Sequence, residues 1–356
     1  MESLKPAVPG RADAATLELA RQLLNRNEHR QVIEMLSPLL EQNPDHAEAL
    51  FVRGTAWLEL QGLTEARRDL VRAAELNPGD PRIFYNLSLT YWIEGNVART
   101  IELCQAALAA GECHPAHVLM SNIELSGDDY FQLLHRLQHH LKPRTYLEVG
   151  VFKGSSLRLV APEVIAIGVD PEPILQQPLG PNQRVFRETS DHFFETHDVR
   201  AELGGPVEFA FIDGMHLFEY ALRDFINLER LCTPDSTIVV HDCYPLDRRT
   251  AERERVTMFW SGDIWRLILL LKKYRPDLEV HTIATPPTGL GLIRNLDPAS
   301  RVLADNLERI CAEFKALDYA VLEDAKQHKL NLFPNDWAAI QPMLDARARG
   351  AMERTP

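Results

Sequence analysis

Cysteine is scarce and unpaired. The 356-residue chain holds five, Cys104, Cys113, Cys232, Cys243 and Cys311, with no C-x-x-C among them. An odd, scattered set supplies neither a disulfide framework nor a zinc knuckle, and it fits reduced thiols in the cytoplasm. Positive charge is also short: 38 Lys and Arg against 51 Asp and Glu leave a formal net charge of −13. Binding nucleic acid broadly takes a basic face, and an anionic membrane surface makes a similar demand, so neither partner is expected. Long apolar runs are missing; the best, 264–271, is too short to cross a bilayer and is cut by Arg266. The opening stretch, MESLKPAVPGRADA, has no basic segment followed by an apolar one, so a secretory signal is not expected. What is present is 45% hydrophobic and 25% charged, the balance of a folded protein, at a length that favours two domains.

The first third is periodic. Asn43-Pro44-Asp45 returns as Asn77-Pro78-Gly79-Asp80, 34 residues on. At that period the units are 13–46, 47–80 and 81–114. The second places Gly54, Trp57, Ala66, Ala73 and Pro78 in a pattern of small, aromatic, small, small and terminating residues. The third matches at Leu87, Tyr91 and Ala107 but has Cys104 and Glu112 where a bulky residue and a proline belong. The first matches at Ala20, Leu23, Leu36 and Pro44. This pattern resembles tetratricopeptide (TPR) repeats. Each unit is then a helical hairpin that buries its apolar face only against its neighbours, with small residues at the close approach and proline stopping the second helix. The resemblance implies a concave groove for a peptide or protein partner, or a scaffold for self-association and a homodimer.

Beyond His114 the period fails. Residues 115–127 read as a connecting segment, and 128–141 (DDYFQLLHRLQHHL) as an amphipathic helix with an acidic start, ended by Pro143. From 145 strands and helices alternate. The run 145–150 (TYLEVG) is a strand, 151–157 a glycine turn passing into a helix, and 164–170 (VIAIGVD) a second strand ending in an acid. A βαβ unit with this turn suits a nucleoside, since glycine admits a ligand to the backbone and a carboxylate accepts ribose hydroxyls. The spacing is G-x-x-x-G, however, so the tight pyrophosphate turn of dinucleotide folds is missing. Further strands are expected at 184–186, 208–213 and 237–242, a helix at 220–230 and another at 263–273, then two antiparallel strands, 278–284 and 289–293.

The string FIDGMHLFEYALRDFINLERLCTPDSTIVVHDCYP, with its D-G-x-H-x-x-x-x-x-x-x-D and V-x-H-D motifs, resembles a subfamily of class I S-adenosylmethionine (SAM)-dependent methyltransferases, the methyltransferase family 24 type; EVGVFKGSSL and GVDPEP are similar to its first two motifs. The resemblance implies an α/β Rossmann-like domain with a seven-stranded sheet. The expected organisation is multidomain: an all-α repeat array over 13–114, the connection 115–127, and a methyltransferase domain with a C-terminal helical extension over 128–356.

The resemblance also implies roles. Glu148, Gly150 and Gly154 shape the pocket for the methionine part of SAM, Ser155 donates to its carboxylate at a helix start, Asp170 holds the ribose, and Ser190 and Asp191 approach the adenine. Asp213 and His216 lie at the end of one strand and His241 and Asp242 at the end of the next. Two readings stand. In one, Asp213, His241 and Asp242 bind Mg²⁺ or another divalent cation and His216 takes the acceptor's proton; against it, His241 stands where related enzymes have an oxygen ligand, which Mg²⁺ prefers. In the other, His216 or His241 acts without metal. Trp260, Asp263, Trp265 and Arg266 follow the fifth strand, where such enzymes build the acceptor pocket. The leading expectation is O-methylation of a small hydroxylated molecule, a sugar or secondary metabolite. N-methylation, methylation of a carrier-bound or peptide substrate held by the repeats, and a repeat-based binding protein with a degenerate methyltransferase domain are the alternatives.

Overall fold

The computed structural model describes residues 9–352; most of the stretch read for a secretory signal lies outside the described residues. The chain divides into two compact units, Met1–Met120 and Ser121–Pro356. No helix among the described residues is long and apolar enough to cross a membrane.

The first unit is built of paired helices: α1 (Pro9–Asn25) with α2 (His29–Gln42), α3 (Ala47–Glu59) with α4 (Leu63–Leu76), and α5 (Pro81–Ile93) with α6 (Val97–Ala110). Each pair is one 34-residue unit. Ala20, Ala66, Ala73 and Ala107 are fully buried, as the repeat pattern requires. A Cβ on Gly54 would lie 2.9 Å from Leu70 Cγ, so α3 and α4 meet where only hydrogen fits. Pro44 and Pro78 follow the C-caps Asn43 and Asn77. Cys104 replaces a bulky residue and is buried against the Ser88 hydroxyl. Residues 115–127, read as a connection, are mostly helical, α7 (His114–Glu124), and the division between the units falls inside that helix.

The second unit opens with α8 (Tyr130–Leu141), whose N-cap Asp129 forms a reciprocal capping box with Gln132. Its strands are β1 (Thr145–Val149), β2 (Ile165–Val169), β3 (Gln183–Phe186), β4 (Val207–Ile212), β5 (Cys232–Val240), β6 (Glu279–Ile283), β7 (Leu290–Arg294) and β8 (Leu332–Phe333). They form one sheet in the order β3-β2-β1-β4-β5-β7-β6-β8. The first five run parallel, and β7 pairs antiparallel with both β5 and β6. To the expected seven strands the structure adds β8, a two-residue strand parallel to β6. The helices α9 (Ser190–Thr196) and α10 (Val199–Leu203) precede β4, α11 (Phe218–Leu231) joins β4 to β5, and α12 (Trp265–Tyr274) follows β5.

One expectation fails here. Between β1 and β2 there is no α-helix, only a single 3₁₀ turn, Leu157–Leu159. The seven residues between Gly154 and Pro162 hold only this turn, because Val160 at its end is already extended (φ −68, ψ 130).

Strand parity sorts side chains to two faces. Leu147, Val149, Ala210, Ile212, Ile238 and Val240 pack toward α11 and α12. Tyr146, Phe209, Phe211 and Val239 pack toward α8 and the C-terminal Ile340 and Leu344. Glu148 shares the parity of Tyr146, which decides where its carboxyl goes.

Candidate active site

The parallel ladder runs one residue past the strand ends. Asp170 N–H donates to Phe186 O, Gly150 N–H to Val169 O, Asp213 N–H to Val149 O and His241 N–H to Ile212 O, all at 2.8–3.1 Å. Four expected site residues therefore stand in a row along the carboxyl edge. The sheet order reverses between β1 and β4, and parallel sheets bind ligands at such a reversal. A cleft of about 600 Å³ opens there, lined by Gly150, Asp170, Ser190, Asp191, Asp213 and His216 among others.

Not every expected residue reaches it. Gly150 does, and with φ +89 it also meets the end of β4: a Cβ on it would sit 2.0 Å from Asp213 O. Gly154 (φ +73) is buried beside Leu175. Ser155 has no α-helix to start, and its neighbour Ser156 is the one that donates to Glu148 Oε1 at 2.9 Å. Glu148 is wholly buried on the α8 face, where Tyr146 Oη donates to Oε2 at 2.6 Å. Burial pushes its carboxyl up to about 8, against the pull of those two hydroxyls. None of Glu148, Gly154 and Ser155 lines the cleft. Asp170 does, and it braces the glycine loop: Oδ2 accepts from Val151 N and Phe152 N at 2.9 and 2.8 Å. Asp191 is forked onto Arg223 at 2.9 and 2.8 Å.

Asp213, His216, His241 and Asp242 converge. His216 Nδ1 is 3.1 Å from Asp242 Oδ2 and its Nε2 3.8 Å from Asp213 Oδ1; His241 Nδ1 is 3.2 Å from Asp213 Oδ1 and 3.3 Å from Asp242 Oδ2. One ligand atom each from Asp213, His216 and Asp242 lie within 4.8 Å of one another. Thr288 Oγ1 fixes the other Asp242 oxygen, donating to Oδ1 at 2.6 Å. Burial of His241 opposes its cation, but the adjacent Asp242 and Asp213 outweigh burial and raise its pKa well above that of a free imidazole. Asp242 moves the other way, held low by His216 and His241 despite its burial. The His216 side chain is 28% exposed and that of His241 9%, and only His216 lines the main cleft.

Three neighbours received no role from the sequence. Asp224 closes the D-G-x-H-x-x-x-x-x-x-x-D motif, lines the cleft, and is pushed by burial up to about 7; the motif itself was the signal. Tyr130 at the start of α8 lies 4.2 Å from the His241 ring, and Arg255 is the only cationic side chain lining the cleft among the described residues. Neither has a local sequence signal.

Comparison with known proteins agrees with this layout. Residues 147–243 match the model of a methyltransferase domain, and residues 17–81 and 58–115 match that of a tetratricopeptide repeat. No curated protein matches the chain. Among solved structures, MamA from Desulfovibrio magneticus RS-1 is 22% identical over 30% of this chain, with a TM-score of 0.29; the chain spans 63% of that protein's length. The O-methyltransferase TomG from Streptomyces achromogenes, involved in tomaymycin synthesis and solved with SAM, is 18% identical over 47% of this chain and 79% of its own, with a TM-score of 0.38. Cofactor-bound Rv0187 from MTB is 18% identical over 51% of this chain and 88% of its own, with a TM-score of 0.36. By the two family models alone, residues 17–115 carry tetratricopeptide repeats and residues 147–243 a methyltransferase domain.

Proposed function

We propose that the methyltransferase domain moves a methyl group from SAM to a hydroxyl of a small molecule. The observation that carries this reading is the cleft at the sheet's reversal, with Asp170, Ser190 and Asp191 at one end and Asp213 and His216 at the other. SAM carries a sulfonium and an ammonium; Asp170 and Asp213 supply carboxylates in the cleft that complement them. Asp170 is the residue we assign to the ribose and Ser190 with Asp191 to the adenine. Glu148 acts from behind, bracing the loop through Ser156.

Transfer is an in-line displacement. The acceptor oxygen forms a bond to the methyl carbon as the carbon–sulfur bond breaks, and S-adenosylhomocysteine leaves. The acceptor's proton goes to His216, which faces the cleft, rather than to His241, which is buried behind it; a positioned base of this kind contributes about 10²–10⁴-fold.

The residues fit a divalent cation. His216 Nδ1, His241 Nδ1 and Asp242 Oδ2 are buried and make no directed hydrogen bond although they approach one another closely. His241 Nδ1 lies 3.2 Å from Asp213 Oδ1 and 3.3 Å from Asp242 Oδ2, close enough for one ion to draw on all three. Asp213 and Asp242 with His241 would hold it, which leaves His216 free to take the acceptor's proton. Such an ion supplies Lewis acidity that lowers the acceptor hydroxyl's pKa.

The test is a calorimetric titration with SAM on the wild type and on Asp170→Ala, each with EDTA and with Mn²⁺. Micromolar binding that the substitution abolishes supports the reading. No binding under any condition sinks it. For the repeats we propose a protein contact, with a peptide, a carrier or a second copy, and light scattering on the whole chain decides the last of these. The five free thiols support a cytoplasmic setting.

A further inference from the structure

We propose that Asp263 is a positioning residue that holds His216 over the Asp213–Asp242 pair. The inference rests on the reading of His216 as the proton acceptor.

His216 needs to be held. Its φ is +36, a left-handed conformation that a side-chain-bearing residue keeps only where its surroundings impose it. Its own segment does not: Leu217, the N-cap of α11, offers no side-chain cap. Asp263, 45 residues beyond Phe218, supplies one, its Oδ1 accepting from Phe218 N at 2.8 Å. Its backbone N–H donates to His216 O at 3.2 Å. One residue therefore ties the peptide groups on both sides of Leu217.

The neighbours of Asp263 complete the mount. Gly262 has φ +60, and a Cβ on it would lie 1.9 Å from His216 O; only glycine lets the two segments come so near. Trp260 stacks on the His216 imidazole, centroids 5.0 Å apart and planes at 16°, and its indole N–H donates to Glu252 O at 2.6 Å. The His216 ring is thus backed on one face by a fixed aromatic surface.

Asp263 is itself fixed. It is wholly buried and paired with Arg253 and Arg266. Arg253 also forks onto Glu219 at 2.6 and 3.0 Å. None of Asp263, Arg253 and Arg266 lines the cleft, so their effect on chemistry passes through His216.

Ring resonances report this directly. The whole chain is labelled with ¹⁵N-histidine, and the His216 and His241 signals are assigned with His216→Gln and His241→Gln. Asp263→Ala removes the clamp. Gly262→Ala pushes the same carbonyl without touching the carboxylate. In both variants the His216 signals are expected to shift or broaden while those of histidines in the repeat unit stay. Asp263→Asn, which keeps an oxygen for Phe218 N–H, is expected to move them less. A folded Asp263→Ala whose His216 signals do not move overturns the proposal. Should Asp263→Ala not fold, Gly262→Ala and Asp263→Asn decide the matter in the same way: unmoved His216 signals in both overturn it. Titration of the wild type with SAM runs alongside. Absence of SAM binding defeats the methyltransferase reading and leaves the ring result to stand or fall alone.

Discussion

A Cβ on Gly150 would lie 2.0 Å from the carbonyl oxygen of Asp213, closer than any non-bonded pair allows. The ends of β1 and β4 therefore touch through backbone alone, and this contact sets where Asp213 projects. Gly150→Ala must displace the β4 end and also hold alanine at φ +89, which together cost about 1–3 kcal/mol. The variant is expected to fold, to unfold several degrees lower, and to lose most SAM affinity. Thermal unfolding and calorimetry check the two parts; unchanged SAM affinity would show that the strand-end contact does not shape the cofactor site.

Metal choice follows from the donor set. An all-oxygen cage suits Mg²⁺, whereas imidazole suits later first-row ions. With the His241 imidazole beside Asp213 and Asp242, Mn²⁺ or Co²⁺ is expected to bind and to resist displacement by excess Mg²⁺. Asp242→Asn is expected to abolish binding. Electron paramagnetic resonance of free Mn²⁺ follows both; equal competition by Mg²⁺ would mean that no imidazole enters the coordination sphere.

The sequence announced the architecture well, because its signals are periodic. The 34-residue echo around Pro44 and Pro78 marks α2 and α4, and the acids after each β-branched run mark the strand ends where Asp170, Asp213 and Asp242 stand. It was less informative where geometry depends on parity or on distant chain. Glu148 sits in the first motif, yet one residue of strand parity turns it to the α8 face, away from the cleft. Asp263 reaches the His216 loop across 45 residues, and Thr288 reaches Asp242 across 46; no local pattern encodes such pairs. The helix expected after Gly154 is reduced to the 3₁₀ turn Leu157–Leu159, after which Val160 is already extended on the way to β2.

Stability of the second unit has an anchor remote from the cleft. Arg275 follows α12, is 2% exposed, and forks onto Glu229 of α11 at 2.7 and 2.9 Å. Removing one partner of a buried pair strands the other charge, at about 3–5 kcal/mol. Arg275→Ala is expected to lower unfolding stability by about that amount, measured by denaturant titration. A loss below about 1 kcal/mol in the single variant would mean that water reaches Glu229.

Glu148 makes stability depend on pH in a direction opposite to that of a salt-bridged acid. Burial lifts its carboxyl to about 8 from an ordinary value of 4.5. Between those values the folded chain keeps a proton that the unfolded chain has released. The stabilising contribution is therefore complete below the unfolded value and is lost as pH rises through the folded one, at up to about 1.4 kcal/mol per pH unit. Glu148→Gln carries no such proton and keeps the shape that meets Tyr146 and Ser156. The difference in unfolding free energy between wild type and variant is expected to fall steadily across this window. Asp224, raised to about 7, titrates in both proteins and cancels from the difference. Equal slopes in the two proteins would place an ionised Glu148 inside the folded chain at neutral pH, and the brace beneath the glycine loop would then be a charged one.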